Sequence, residues 1–123
     1  MRIFLLLGAF VLFGLVSQAP AQDNLYGNAR SLVDRVQHDL RHAAGMDQER
    51  EKHRERYDNA QQHLSDFDRE LARNHFDKGK LDTAIDDVKN VVDNNTLDPQ
   101  ARDILTQDLR DLRNLRQSRA AGY

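Results

Sequence analysis

Between Leu71 and Val92 the apolar or small residues fall at 71, 72 and 76, then at 81, 84, 85, 88, 91 and 92. Steps of three and four residues place side chains on one face of a helix and cannot line one face of a strand. The stretch therefore reads as two amphipathic helices packed back to back. Gly79, between the two runs, is the expected turn.

The same periodicity extends in both directions. Ala29, Leu32, Val33, Val36, Leu40 and Ala43 form one stripe, with Asn28 as its expected cap and Gly45 as its expected stop. Asp47 is the expected cap of a second, long helix spanning about 47–77. Its first ten residues, Asp47 to Arg56, contain no apolar side chain, so this part is expected to be a solvated helix start and not core. From Tyr57 a seam runs through Ala60, Leu64, Phe67 and Leu71. Leu81 to Val92 is the third helix. Asp98-Pro99 opens a fourth, because Asp caps orphan N–H groups and Pro at the first helical position loses no hydrogen bond. Ile104, Leu105, Leu109, Leu112 and Leu115 mark its apolar side. Nothing alternates with a period of two, and no Asn-Gly or Asp-Gly hairpin signal occurs. The expected fold class is all-α, with four helices and antiparallel neighbours joined by short connections.

The N-terminus has a different character. Arg2 precedes an unbroken apolar or small run of 14 residues, Ile3 to Val16, and Ser17-Gln-Ala-Pro-Ala21 ends in an Ala-x-Ala pattern. This is the layout of a secretory signal peptide cleaved after Ala21. A membrane-spanning helix needs about 20 apolar residues, more than this run supplies. The expected division is a leader at 1–21, a polar segment at 22–27, one helical domain at 28–119 and a tail at 120–123. Residues 22–123 carry 17 Lys and Arg against 20 Asp and Glu, a net charge of −3 with His neutral. That balance lacks the basic field nucleic acid requires. There is no Cys, so neither disulfides nor a lipidated cysteine can contribute, and stability must come from helix packing or assembly.

With Gly79 as its turn, residues 65–98 resemble a tetratricopeptide repeat, a helix–turn–helix unit of about 34 residues. Leu71 falls on the repeat's Leu position, Ala72 on its small position, Ala84 on the small residue of the second helix and Val88 on its aromatic position. Phe-Asp-Lys-Gly-Lys-Leu-Asp-Thr-Ala-Ile is similar to the family's turn phrase. Departures are Asp68 where Trp is usual, His75 where Tyr is usual, and Pro99 three residues late. A single such hairpin cannot bury its apolar face alone. The first and fourth helices are thus expected to flank it, or the chain to pair as a homodimer. The resemblance implies a groove that binds another protein or peptide, with Ala72, Asn74 and Lys78 as candidate contacts.

No catalytic constellation is legible. There is no Ser elbow, phosphate loop, EF-hand spacing or His-Glu-x-x-His. Five His occur, at 38, 42, 53, 63 and 75. His38 and His42, four apart on one helix, are the candidate metal ligands. His53 is expected to be exposed in its charged run, and His75 to be half-buried packing. The acid pairs Asp66/Asp68, Asp82/Asp86/Asp87 and Asp108/Asp111 lie among Arg and Lys and are expected to be solvated, as is the series Arg110, Arg113, Arg116 and Arg119. Asn94-Asn95-Thr96 matches a glycosylation sequon. The expected function is an exported, periplasmic or secreted, non-enzymatic interaction or scaffolding module. It would take no cofactor, bind no nucleic acid and keep no membrane anchor once the leader is removed. The alternatives are a metal-binding bundle using His38 and His42, and a dimeric chaperone-like bundle.

Overall fold

The computed structural model describes residues 26–121. The expected leader at 1–21 and residues 22–25 lie outside them. Four helices follow in order: α1 (Gly27–Met46), α2 (Arg50–Ala72), α3 (Lys78–Asn94) and α4 (Pro99–Ala121). No strand occurs among the described residues, and none of the helices is long and apolar enough to cross a membrane.

Side-chain contacts set the directions. Arg30 meets Asp68 and Gln37 meets Gln61, so residues rising along α1 face residues falling along α2. His63 with Asp87 and Arg56 with Asn94 orient α3 against α2 in the same sense. Asp82 with Arg116 does so for α4 against α3, and Arg35 with Asp111 for α4 against α1. Each helix packs on two neighbours, and α1 and α4 close the ring. This is an up-down-up-down antiparallel four-helix bundle. The central hairpin is present as α2–α3. Stacked repeats, however, touch only their neighbours along the stack, whereas here the first and last helices pack together. The flanking helices complete a closed core.

The seams explain the closure. Buried positions run 29, 33, 36, 40, 43 in α1 and 57, 60, 64, 67, 71 in α2. They run 81, 84, 88, 91 in α3 and 101, 105, 109, 112 in α4. These steps of four and three residues average about 3.5, the spacing of helices that stay in contact along their length. Phe67, Leu40, Leu64, Leu71, Leu81, Leu105 and Leu112 are the largest fully buried side chains, each worth about 1.5–3 kcal/mol on burial. Phe76 packs edge-on against Phe67 with ring centroids 5.4 Å apart, closing one end of the core with Tyr26.

Several expected boundaries move. Gly45 does not stop α1, which runs on to Met46. Asn28 lies inside that helix, after the residue that precedes its first turn, Tyr26. The long helix begins at Arg50 and ends at Ala72, not at 47 and 77. Gly79 is not the turn. It lies in the first turn of α3 without a positive φ, because Asp77 caps that helix by accepting from the Lys80 N–H at 3.0 Å. The reversal falls at 73–77, where Asn74 adopts φ 62°; Asn tolerates this left-handed conformation better than most side chains. The expected tail at 120–123 is helical through Ala121. Asp98 does cap α4, through the N–H groups of Gln100 and Ala101 at 3.1 and 3.4 Å. Ile104 is 37% exposed instead of buried in the stripe.

Candidate functional site

The three predicted partner-contact residues cluster at one end of the bundle. Ala72, Asn74 and Lys78 are all exposed on or beside the α2–α3 reversal. His75, expected to be half-buried, is exposed as well, because Phe76 takes the packing position. The His75 Nδ1 lies 2.8 Å from the Glu70 Oε1, and Arg73 donates to the Glu70 Oε2 at 3.1 Å. The hydrogen bond from His75, helped by the positive charge of Arg73, holds the Glu70 carboxyl below the usual carboxylate range. Ligand atoms of Glu70, His75 and Asp77 lie within 4.8 Å of one another, the one such set of three among the described residues. Beside it opens a groove of about 430 Å³ lined by His63, Asp66, Asp77, Gly79, Lys80 and Thr83. His63 Nδ1 meets Asp87 Oδ2 across the α2–α3 interface. Arg69 and Arg73, paired with Asp66 and Glu70, are exposed at this end together with Lys78 and Lys80.

His38 and His42 stand exposed on α1 as predicted, and neither belongs to the set of three. Their helix-face geometry is that of a two-ligand pair without a third donor at the same spacing.

His53 corrects the sequence reading. It is 3% exposed, its Nδ1 2.9 Å from the Asp47 Oδ2, and Tyr57 donates its hydroxyl to the same oxygen at 2.8 Å. Asp47 also accepts from the Glu49 N–H at 2.8 Å. Burial works against the Asp47 charge, but hydrogen bonds from His53, Tyr57 and Glu49 outweigh it and lower its pKa. The Tyr57 hydroxyl is pushed up to about 12, first by burial, with Asn95 opposing and Asp47 reinforcing. Arg56 donates to the Asn95 Oδ1 at 3.0 Å, and Arg102 donates to the Asn95 carbonyl at 3.3 Å. This network ties the loop at 47–49 to the loop at 95–98. An Asp–His pair can serve as a general base; here both groups are buried and bonded to each other, with Tyr57 on the same carboxylate oxygen.

Asp108 is the second correction. Expected to be solvated, it is 2% exposed at the α1–α4 seam, with Arg35 Nε 3.3 Å from its Oδ1. Burial, then a hydrogen bond and repulsion from Asp39, push its carboxyl up to about 7 against the pull of Arg35. In the C-terminal Arg series, Arg116 is not free but forks onto Asp82 of α3, its NH2 3.2 Å from Oδ2.

The sequence carried a signal for each buried polar group. His53 lies four residues before Tyr57 and Asp47 four after Ala43. Asn95 lies four after Val91, and Asp108 falls between Leu105 and Leu112 at steps of three and four. Each occupies a seam position. No family model matches the chain, and neither a curated protein nor a solved structure matches it.

Proposed function

We propose that this chain is an exported interaction module, binding rather than catalytic, that presents the α2–α3 end of its bundle to another protein. The observation that carries the reading is the exposed, charged reversal around the left-handed turn at Asn74, where Lys78 and Lys80 stand beside Arg69 and Arg73, the two arginines paired with Asp66 and Glu70. The apolar stripes of all four helices are spent on the core, and Met46 and Ile104 are the large apolar side chains left exposed among the described residues. Recognition must then rest on polar complementarity, which an acidic helix or extended segment of a partner supplies. Ala72 leaves room for close approach, Asn74 offers its amide and Lys78 its charge. The repeat-like groove gives way, in this reading, to the reversal at 73–77 and the groove beside it.

The test is affinity capture from the native exported fraction, comparing wild type with Arg73→Glu/Lys78→Glu and with Arg110→Glu as a distant control. The double reversal should lose a partner that the control keeps, with helical content unchanged in both. A partner retained by the double reversal, or lost by the control, refutes the assignment.

A second reading is metal binding. The donor set best arranged for it is Glu70, His75 and Asp77, which offer one imidazole and two carboxylates within 4.8 Å. His38 and His42 offer two donors alone. Calorimetric titration with zinc, copper and nickel decides it. Binding abolished by His75→Ala supports the first set, binding abolished by His38→Ala the second, and no heat at micromolar concentrations removes the reading.

A further inference from the structure

The end of α2 is closed by a backbone motif that carries an uncommon pair of side chains. The His75 N–H donates to the Glu70 carbonyl and the Asn74 N–H to the Leu71 carbonyl, both at 2.9 Å, with Asn74 at φ 62°. This is a Schellman motif, which sets the side chain after the left-handed residue against one in the last turn of the helix, commonly as an apolar contact. Here the contact joins an imidazole to a carboxylate, His75 Nδ1 to Glu70 Oε1 at 2.8 Å. Arg73 holds the other carboxylate oxygen, Oε2, at 3.1 Å. Two residues on, Asp77 is fixed by the cap it makes through Oδ1 to the Lys80 N–H at 3.0 Å, a bond that does not involve Oδ2. Ligand atoms of Glu70, His75 and Asp77 lie within 4.8 Å of one another. Zinc bonds to N and O of about 2.0–2.2 Å hold neighbouring donors roughly 3 Å apart, so Glu70 and His75 already stand at ligand spacing. The backbone bonds that build the reversal thus preassemble the donors.

The residues offered to a partner are interleaved with these donors. Ala72, Asn74 and Lys78 share one stretch of nine residues with Glu70, His75 and Asp77. Charge couples the two sets. Arg69, Arg73, Lys78 and Lys80 stand against Asp66, Glu70 and Asp77, a balance of +1 with His75 neutral, which a divalent ion raises to +3. We propose that a divalent cation of the zinc class, held by Glu70, His75 and Asp77, switches this reversal into the state that docks an acidic segment of a partner protein. The proposal rests on the cation reading above and adds its regulatory consequence. The lysines and arginines that attract an acidic segment also oppose a cation placed among them. An acidic segment laid across them relieves that opposition, so each ligand strengthens the other, by the same factor in both directions. Two added charges about 6 Å from a partner carboxylate are worth about tenfold in affinity in water at low ionic strength, and added salt shrinks the effect.

The test uses zinc alone and, as the acidic probe, a fluorescein-labelled hexaglutamate peptide. Calorimetry should show zinc binding to the parent chain at micromolar concentrations and none to His75→Ala, whose side chain is exposed. Asp77→Asn keeps an oxygen for the cap of α3 and should weaken zinc while helical content by circular dichroism stays that of the parent. Fluorescence anisotropy should show the peptide binding the parent about tenfold more tightly with zinc than with a chelator at low ionic strength. That gain should vanish in His75→Ala and persist in His38→Ala. The peptide's own weak hold on zinc is common to all samples and cancels in the comparison. No heat from zinc removes the cation reading and this proposal together. Zinc that binds the parent without raising peptide affinity, or raises it equally in His75→Ala, overturns the coupling and leaves the cation reading standing. A gain lost in His38→Ala and kept in His75→Ala moves the cation to α1 and overturns the switch.

Discussion

Replacing Asp47 with Ala tests whether the buried polar network holds the bundle end. The carboxylate accepts three hydrogen bonds, at 2.9 Å from the His53 ring, 2.8 Å from the Tyr57 hydroxyl and 2.8 Å from the Glu49 N–H. Removing it leaves the His53 and Tyr57 groups enclosed without an acceptor, at about 1–3 kcal/mol each. The Glu49 N–H can turn to water and adds about 0.5–1 kcal/mol. Relief of the Asp47 desolvation subtracts from the sum. The expected net loss is about 3–5 kcal/mol, the range for breaking a buried pair from one side. In urea, with a slope near 1–3 kcal/mol per molar, the midpoint should fall by roughly 2 M. Asp47→Asn keeps one acceptor oxygen and should cost about half as much. A double-mutant cycle with His53→Ala should give a coupling of about 1.5–3 kcal/mol. A loss below 1 kcal/mol in Asp47→Ala, or a coupling near zero, would refute the reasoning. The lowered Asp47 pKa adds a pH signature. Its stabilisation is complete above the unfolded value of 3.8 and is lost as pH falls below it through the folded value.

Asp108 acts in the opposite sense and in another window. Its folded pKa of about 7 lies above the ordinary 3.8, so its contribution is present below about pH 4 and is lost as pH rises through 7, at up to about 1.4 kcal/mol per unit. Asp108→Asn should therefore gain stability relative to the parent between pH 5 and pH 8; a stability difference that is the same at both pH values would count against the raised Asp108 pKa. Gly45→Ala should stabilise the protein by about 0.5–1 kcal/mol, since the residue is helical and a Cβ there meets nothing within 4 Å. Gly79→Ala should be neutral to mildly stabilising, as its Cβ would touch Asp77 Oδ1 at 3.4 Å; thermal melts showing either variant clearly destabilised would restore the glycine to a turn. Asp98→Ala should cost about 1 kcal/mol through the lost cap of α4, and an unchanged melting temperature would refute that cap.

The four seams were legible in the chain because helical periodicity is local. Leu71 to Val92, read alone, already announced two helices back to back, and Asp98-Pro99 marked a start that the structure keeps. The turn was misread for a physical reason. A glycine between two apolar runs permits a reversal, but Asp77 begins α3 two residues earlier by bonding Lys80, and Asn74 takes the left-handed angle. Closure of the ring could not be read from residues 65–98, since a hairpin in a stack and a hairpin in a bundle share one local pattern. The difference lies in whether α1 reaches α4. The buried polar residues divide the two kinds of information most sharply. The spacing of Asp47, His53, Asn95 and Asp108 is compatible with the seams, but their chemistry led the sequence reading to take Asp47 as a cap and His53 and Asp108 as solvated. Only tertiary structure decides that contest, because a charged or amide group is tolerable inside a protein when partners from other segments meet it. His53 and Tyr57 reach Asp47 from the next helix, and Arg56 and Arg102 reach Asn95 from α2 and α4. Asp108 meets Arg35 from the far end of the chain.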